Sequence, residues 1–224
     1  MSAGQLAIIG TPIGNLKDLT FRALEGLKEA DVIYCEDTRR TLKLLNAYEI
    51  RKPLKSCPHF KEKLVAKDVV ERVRAGERVA YVSDAGMPGL NDPGSLLVAA
   101  CREENLKVEV LGGVSALTHF VAGLGVEIPI FTFVGFLPSR IVDRQRFFSQ
   151  PWTNPFIFFE SPHRIESTLG LLKERLPSHN LILGKELSKI SEAYFRGTPE
   201  ALLKTIPSYK GEWIGVWFPD NASS

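Results

Sequence analysis

Residues 83 to 94 combine the carboxylates and the small residues that a ligand-binding loop needs. The segment contains three glycines, two prolines and two aspartates, and it reads Ser83-Asp84-Ala85-Gly86-Met87-Pro88-Gly89-Leu90-Asn91-Asp92-Pro93-Gly94. Because it has little side-chain bulk, its backbone can approach a ligand closely. Apolar residues 79–82 predict a strand before it, and open α/β sheets bind ligands at the carboxyl ends of strands. Asp84 is therefore a candidate partner for an ammonium or a ribose, and a turn-forming aspartate is the alternative.

Four other loops follow predicted strands and carry similar residues, at 10–15, 36–40, 112–116 and 160–164. The first of them, Gly10-Thr11-Pro12-Ile13-Gly14, lacks the G-x-G-x-x-G pattern, and Pro12 removes an amide that a pyrophosphate would need. The chain has no G-x-x-x-x-G-K-[ST] and no G-x-S-x-G. Glycines, small hydroxyls and single carboxylates suit a neutral or cationic adenosine-type ligand better than a polyphosphate.

Two groups of arginines could hold phosphates. Arg39 and Arg40 follow Asp37 at a strand end, and a second cluster on a short polar segment comprises Arg140, Arg144 and Arg146. Arginine binds phosphate oxygens well, so the second cluster could grip an RNA backbone. For both groups an ordinary solvated surface is the alternative. His163 lies at a predicted helix start, where capping or packing is its alternative role.

Composition excludes several classes of protein. The chain has 224 residues, 44% of them hydrophobic, and a net charge of only +2, so it is not a strongly basic nucleic-acid binder. The three cysteines are odd in number and far apart, which favours free thiols in a reducing cytoplasm. They form no zinc pattern with the four histidines. We expect no membrane span and no signal peptide.

The order of predicted elements indicates an α/β protein with two lobes. Strands and helices alternate about five times in the first half, which predicts a parallel sheet with helices on both faces. We place the lobes at 1–117 and 118–224, and we expect a frayed tail at 220–224. Helix N-caps are predicted at four positions, three of which precede a proline or form an Asp-Pro pair: Asp18, Asp92, Ser161 and Thr198.

Six motifs occur together in one order along nearly the whole chain. They are Thr11-Pro12-Ile13-Gly14-Asn15-Leu16, Glu36-Asp37-Thr38-Arg39, Ser83-Asp84-Ala85-Gly86 with Asp92-Pro93-Gly94, Phe159-Glu160-Ser161-Pro162-His163-Arg164, Lys185-Glu186-Leu187-Ser188-Lys189 and Arg196-Gly197-Thr198. Together they resemble the ribosomal RNA small-subunit methyltransferase I family. That family belongs to the tetrapyrrole-methylase class of S-adenosylmethionine-dependent enzymes and methylates the ribose 2′-hydroxyl of a cytidine in 16S rRNA.

The resemblance implies two α/β lobes with the cofactor in the cleft between them, and a homodimer. It implies that S-adenosylmethionine meets residues of the first lobe and the junction, namely Pro12, Asp84, Met87, Ser115 and Ala116. In the second lobe it implies Phe159, Glu160, Ser161 and Glu186. The RNA partner would be held by exposed arginines, for which we take Arg39, Arg40, Arg140, Arg144, Arg146 and Arg164.

Several positions depart from the family pattern. The chain has Gly112-Gly113-Val114-Ser115-Ala116 where Pro-Gly-Pro-Ser-Ala is usual, and Met87 where threonine is usual. A Tyr-His-Glu-His-Asn-Glu-like stretch is replaced by residues 57–62, which read CPHFKE. Two alternatives therefore stay open: a methyltransferase acting on a tetrapyrrole-like small molecule, and a non-catalytic RNA- or ribosome-binding relative.

Methyl transfer from a sulfonium is an in-line displacement in which the protein mainly positions the reactants. A ribose hydroxyl is a poor nucleophile, so a base helps. The candidates for that base are Asp37, Glu160, His163 and Lys185, and the sequence does not choose among them.

Overall fold

Alternating side chains organise the first half of the chain into a sheet that is covered on both faces. In the computed structural model, which describes residues 4–219, the chain forms two compact units, one ending at Ser115 and the other beginning at Ala116. The boundary predicted from the sequence stood two residues later. The tail expected at 220–224 lies outside the described residues.

The first unit contains five parallel strands in the order β3-β2-β4-β1-β5. The strands are β1 (Gln5–Ile9), β2 (Val32–Cys35), β3 (Leu54–Ser56), β4 (Arg78–Val82) and β5 (Lys107–Leu111). Four helices connect them: α1 (Phe21–Glu29), α2 (Thr38–Ala47), α3 (Glu62–Arg74) and α4 (Ser95–Glu103). Two short 3₁₀ helices, Leu16–Asp18 and His59–Lys61, lie in the connections.

Neighbouring residues of each strand enter different cores. Leu6 and Ile8 pack with Val69 and Leu97 under α3 and α4, whereas Ala7 and Ile9 belong to the core of α1 and α2. A strand that is buried on both faces reads as a continuous apolar run, which is why residues 5–9 and 78–82 show no polar alternation. The predicted α/β class and the parallel sheet with helices on both faces are confirmed.

The second unit contains a mixed sheet. The strands are β6 (Thr132–Phe136), β7 (Phe156–Glu160), β8 (Leu181–Lys185), β9 (Ala193–Gly197) and β10 (Trp213–Trp217), in the order β6-β7-β10-β8-β9. Only β6 and β7 are a parallel pair, and the other three pairs are antiparallel. The helices are α5 (Ala116–Ala122), α6 (Ile141–Phe148), α7 (Ile165–Arg175) and α8 (Pro199–Thr205). An aromatic core that includes Phe156, Phe158 and Trp217 covers one face of the sheet.

The helix caps differ from the prediction at three of four positions. Thr198 caps α8 as predicted, with Pro199 in the first turn. The prediction of Asp18 as the N-cap of α1 was wrong, because the Thr20 side chain accepts from the Ala23 amide and the helix begins after Thr20. The prediction of Ser161 as the N-cap of α7 was also wrong, because the chain makes a turn through residues 162–164 before α7 begins.

The third wrong cap reveals a long-range contact. The N-cap of α4 is Gly94, not Asp92, and it has no side-chain oxygen to offer. Instead the buried carboxylate of Glu62, at the start of α3, accepts from the amides of Gly94 and Leu96, both at 2.7 Å. A carboxylate is favourable at a helix N-terminus, where unsatisfied amides carry partial positive charge. Asp92 is thereby released from capping.

Candidate active site

Four loops of the first unit meet at the carboxyl edge of its sheet. Because all five strands run in parallel, the loops that follow β1, β2, β4 and β5 must emerge on the same side. Backbone hydrogen bonds join them. The Thr11 amide donates to Gly86 O at 2.9 Å, and the Gly86 amide donates to Thr11 O at 3.1 Å. The loops at 10–15 and 83–94 are therefore one connected surface that carries Pro12.

Glycines let two of these loops touch backbone to backbone. A Cβ added at Gly113 would lie 2.8 Å from the Gly10 Cα, and one added at Gly10 would lie 2.5 Å from the Met87 sulfur. The Gly113 amide donates to that sulfur at 3.2 Å. Met87 thus links the loop after β4 to the loop after β5. By contrast, a Cβ at Gly112 would meet nothing within 4 Å, so the surface beside this contact is open.

Asp84 joins the loop after β4 to the start of α2. Its Oδ1 accepts from the Asp37 amide at 3.0 Å, and Arg40 Nη1 lies 3.4 Å from its Oδ2. The side chain remains partly exposed, so it can also face a ligand. Ser115, the last residue of the first unit, lies near these loops in sequence and is half-buried.

The Asp37 carboxylate caps α2 and pairs with Arg39 in the first turn of that helix. Its Oδ1 accepts from the Arg39 amide at 2.8 Å as the N-cap of α2, and its Oδ2 accepts from Arg39 Nη2 at 2.7 Å. Arg39 Nε also donates to Oδ1 at 3.1 Å, and this bidentate contact with the guanidinium holds the pKa of Asp37 well below its usual range. A carboxylate with so low a pKa is a weak base, which argues against Asp37 as the proton acceptor.

Two other carboxyl groups at this edge, Asp92 and Glu36, have raised pKa values, and neither was among the functional residues predicted from the sequence. Burial, reinforced by the nearby Glu36 and Asp84, raises the pKa of Asp92 to about 6, against a smaller opposing contribution from the Ser83 hydroxyl. Burial and the proximity of Asp84 also raise the pKa of Glu36. Asp92 lies in the same glycine-rich loop as Asp84, and this position could have indicated a functional role. The Asp92-Pro93 pair instead resembles a helix N-cap, so Asp92 was predicted as a cap.

The second unit places Glu160 in a buried network of charges. The carboxylate is fully buried. Its Oε1 accepts from the Ser161 amide at 2.7 Å and from Arg164 Nη2 at 2.8 Å, and its Oε2 accepts from Thr168 Oγ1 at 2.9 Å. Arg144 Nη1 lies 3.5 Å from Oε2. Surrounded in this way, Glu160 is suited to hold other residues in place rather than to accept a proton from a substrate.

The sequence predicted that Arg144 lies on a polar surface segment, and this prediction was wrong. It is on α6 and only 4% exposed, and its Nη2 donates to Ser167 Oγ at 3.4 Å. A buried arginine cannot reach a phosphate backbone, so we leave Arg144 out of the RNA-contacting set. The neighbouring Arg140 and Arg146 are exposed, as are Arg39 and Arg40 in the first unit.

The remaining residues of the Phe159–Arg164 motif lie around this network. Phe159 is half-buried and contacts Phe133 edge to face, with ring centroids 5.2 Å apart. Ser161 Oγ accepts from Arg164 Nε at 3.2 Å, and Arg164 is partly exposed. His163 is exposed in the turn before α7. Among the four predicted bases it is the one whose side chain is open to solvent.

Lys185 and Glu186 lie at the same edge of the second sheet as Glu160, because Lys185 and Glu160 both pair with Trp213 of β10. Lys185 Nζ donates to Ser208 O at 2.7 Å and lies over the Trp213 ring, which is a structural arrangement. Burial alone would raise the pKa of Glu186, but the Glu212 amide and Lys189 more than offset it and lower the pKa.

The structure thus collects Pro12, Asp84 and Met87, with Ser115, in one unit, and Phe159, Glu160, Ser161 and Glu186, with Ala116, in the other. The first set adjoins an open surface of backbone and carboxylates, which fits a ligand that carries ribose hydroxyls and positive charge. Between residues 4 and 219, no group of three or more acidic, histidine or cysteine side chains could hold a metal ion. No helix in that range is both long and apolar enough to cross a membrane.

Comparison with known proteins shows the family to which this chain belongs. The family model for tetrapyrrole (corrin/porphyrin) methylases matches residues 5–203. A protein of Thermotoga maritima named ribosomal RNA small subunit methyltransferase I is 44% identical over 196 residues, covering 87% of this chain and 88% of that protein. Its namesake in Coprothermobacter proteolyticus is 39% identical over 214 residues, covering 95% and 96%.

Solved structures share the architecture at low identity. Diphthine synthase superposes with a TM-score of 0.72 at 14% identity, covering 96% of this chain and 90% of that one. Uroporphyrin-III C-methyltransferase of Thermus thermophilus in complex with S-adenosyl homocysteine superposes with a TM-score of 0.66 at 19% identity, covering 95% and 97%. Identities this low indicate a common fold and no more.

Proposed function

Because the chain belongs to the tetrapyrrole methylase family and is a methyltransferase that uses S-adenosylmethionine, we propose that it methylates the ribose 2′-hydroxyl of a cytidine in 16S rRNA of the small ribosomal subunit. The observation that carries this proposal is the edge of the first sheet, where the loops after β1, β4 and β5 form one open surface next to three carboxyl groups. The names of the relatives supply the RNA target.

The residues at this edge fit the cofactor. S-adenosylmethionine carries a sulfonium, an ammonium and two ribose hydroxyls, so it favours carboxylates and backbone groups over the amide cluster that a phosphate needs. Pro12, Asp84, Met87 and Ser115 would hold it from the first unit, and the tight Gly10–Gly113 contact would keep the loops at a fixed spacing. In the second unit the proposed contacts are Ala116, Phe159, Ser161 and Glu186. When bound, the cofactor supplies an electrophilic methyl group.

The chain must accept the proton that leaves the ribose hydroxyl. Asp37 is bound by Arg39, Glu160 is enclosed by two arginines, and Lys185 donates to Ser208. His163, the fourth candidate, is exposed in the turn before α7, whereas Asp92 lies in the loop after β4, beside the proposed cofactor contacts Asp84 and Met87. For this reason we assign proton acceptance to Asp92. Its raised pKa of about 6 leaves it ionised near neutral pH and more basic than an ordinary aspartate, as general-base catalysis requires.

Four exposed arginines, and the partly exposed Arg164, are proposed to bind the RNA backbone. Arg39 and Arg40 stand at the carboxyl edge of the first sheet, where methyl transfer would occur, and Arg140, Arg146 and Arg164 lie in the second unit. We also propose that the enzyme acts as a homodimer in the cytoplasm. Support comes from the family resemblance and from three buried free cysteines, as expected of a reducing compartment.

The test is transfer of a radiolabelled methyl group to small ribosomal subunits and to naked 16S rRNA, followed by mass spectrometry of the modified nucleoside. We expect a 2′-O-methylcytidine that is absent with the Asp84→Ala variant, because that change opens the contact between the loops at 36–40 and 83–94. Methylation of a tetrapyrrole such as uroporphyrinogen III, with no transfer to RNA, would overturn the proposal. Calorimetry with S-adenosylmethionine separates loss of cofactor binding from loss of transfer.

A further inference from the structure

An exposed aromatic ring and two exposed arginines lie within one short segment, residues 136–146, where β6 leads into α6. Phe136, the last residue of β6, is 55% exposed, and Ile141 and Val142 at the start of α6 are each 51% exposed. Arg140 and Arg146 have side-chain exposures of 84% and 78%. We call this set, Phe136, Arg140, Ile141, Val142 and Arg146, the β6–α6 surface.

A backbone irregularity directs Phe136 outward. The pairing of β6 with β7 shifts register between Phe133 and Phe136, and Gly135 within this shift has a φ of 68°. Positive φ is unfavourable for other residues, and a bulge at a strand edge re-aims the side chain that follows it. The Phe136 ring is supported by Phe159, with ring centroids 5.4 Å apart. One face of a large apolar ring is thus held in place at the surface.

The buried charge network connects this surface to β7 and to the turn before α7. Arg144 anchors α6 to Glu160, and Arg164 Nη1 donates to Leu137 O, directly after Phe136, at 3.4 Å. A buried ion pair is a poor source of stability but fixes the geometry of what is attached to it. The exposed arginines, by contrast, are held weakly. Both contact Asp143 at 3.8 Å, and exposed pairs at that distance contribute little, so their guanidinium groups are available to a ligand.

Building on the proposed function, we propose that the β6–α6 surface binds an unpaired stretch of the RNA substrate, with a base stacked on Phe136 and phosphates held by Arg140 and Arg146. Aromatic rings beside cationic side chains suit single strands, whose bases expose their flat faces. An A-form duplex hides those faces, so the surface selects unpaired RNA. A second copy of this chain fits less well, because two-fold symmetry would bring the arginines of one copy towards those of the other.

The experiment measures binding of the full-length protein to a short fluorescein-labelled RNA, both single-stranded and annealed to its complement, by fluorescence anisotropy. We expect the single strand to bind more tightly and Phe136→Ala to weaken it by about tenfold to a hundredfold. Phe136→Trp should restore binding. Phe21→Ala, which removes a more exposed ring from α1, is the control and should leave affinity unchanged. The double change Arg140→Ala/Arg146→Ala should flatten the salt dependence by about 1.4 in log–log slope.

Three outcomes would overturn the inference: unchanged single-strand affinity in Phe136→Ala, duplex RNA binding as tightly as the single strand, or conversion of a dimer to a monomer by Phe136→Ala in analytical ultracentrifugation. Circular dichroism checks that the variant folds. Methyl transfer and cofactor calorimetry on the wild type report on the proposed function separately. If the protein binds unpaired RNA through Phe136 but transfers no methyl group to 16S rRNA, the surface stands and the proposed reaction fails.

Discussion

Asp92 in the first unit is a partly buried carboxyl group and Glu160 in the second is a fully buried one, and their surroundings suit opposite roles. Burial, reinforced by the nearby carboxyl groups of Glu36 and Asp84, raises the pKa of Asp92 to about 6. Glu160 is enclosed by Arg144, Arg164, a threonine hydroxyl and a backbone amide. Like charges favour the proton-bound form of a carboxyl, and cations favour the ionised form. The two carboxyl groups therefore differ in their partners: Asp92 has carboxyl neighbours, whereas Glu160 has cations and hydrogen-bond donors.

The largest effect should follow from Glu160→Gln, which leaves two arginines without their counter-charge in a buried site. Breaking one side of a buried ion pair costs about 3–5 kcal/mol of unfolding free energy. Chemical denaturation measures it, and Glu200→Gln, on the exposed surface of α8, is the control. Combining Glu160→Gln with Arg144→Met should recover part of the loss. A stable Glu160→Gln protein that has lost methyl transfer would instead make Glu160 a catalytic group and end the contrast with Asp92.

The contrast was invisible in the sequence because each environment comes from distant residues. The alternation of Leu6 and Ile8 with Ala7 and Ile9 is local, so the parallel sheet and its edge loops could be predicted. The burial of Glu160 depends on Arg144, sixteen positions earlier, in a segment whose arginines suggested an exposed surface.

That Asp92 does not cap α4 also depends on a residue far away in the chain. Its release from capping depends on Glu62, which lies thirty positions before it in the chain and supplies the carboxylate for α4. Asp84 and Glu160 could be named as candidates from the sequence, but the release of Asp92 and the partners of Glu160 depend on these distant contacts.

Asp92→Asn should change both activity and the pH dependence of stability. The folded-state pKa of Asp92 is above its unfolded value near 3.8, so wild-type stability falls as pH rises from about 4 to 6. Asn does not ionise, so the variant should gain up to about 3 kcal/mol over wild type above pH 6 and nothing below pH 4. Loss of a general base should lower the rate of methyl transfer about a hundredfold, with cofactor affinity retained.

Asp68→Asn, in the same unit, should change the pH dependence of stability in the opposite direction to Asp92→Asn, because the pKa of Asp68 is lowered. Burial raises the pKa of Asp68, but Lys55 and Tyr34 more than offset it, so the pKa is lowered on balance. Its stabilising contribution is present at neutral pH and lost as pH falls, and Asp68→Asn should therefore be destabilised at pH 7 and equal to wild type in acid. Thermal unfolding across pH 3–8 measures both variants. Parallel curves for the two would show that the raised pKa of Asp92 is not a property of the folded protein.

Gly113→Ala tests whether the loops of the first unit are held as tightly as the charge network of the second. A Cβ there would meet the Gly10 backbone at 2.8 Å, so the loops after β1 and β5 must separate, at a cost of about 1–3 kcal/mol. Gly112→Ala, one residue earlier in open space, should be neutral in thermal unfolding without cofactor. If the two variants unfold alike, the loops are loosely packed and the first unit is less ordered at its site than the second.

The smallest expected difference compares two threonine caps, one in each unit. Thr198 only accepts from the Ala201 amide at 3.3 Å, so Thr198→Ala should cost about 1 kcal/mol. Thr20 accepts from the Ala23 amide at 3.1 Å and also donates to Gly112 O at 3.0 Å, which ties α1 to the loop after β5. Thr20→Ala should therefore cost about 0.5 kcal/mol more and weaken cofactor binding, which Thr198→Ala should not do. Denaturation and calorimetry on both variants decide this. Equal losses of stability with unchanged cofactor affinity would mean that α1 does not position the loops, and that their order comes from Met87 and the glycine contact alone.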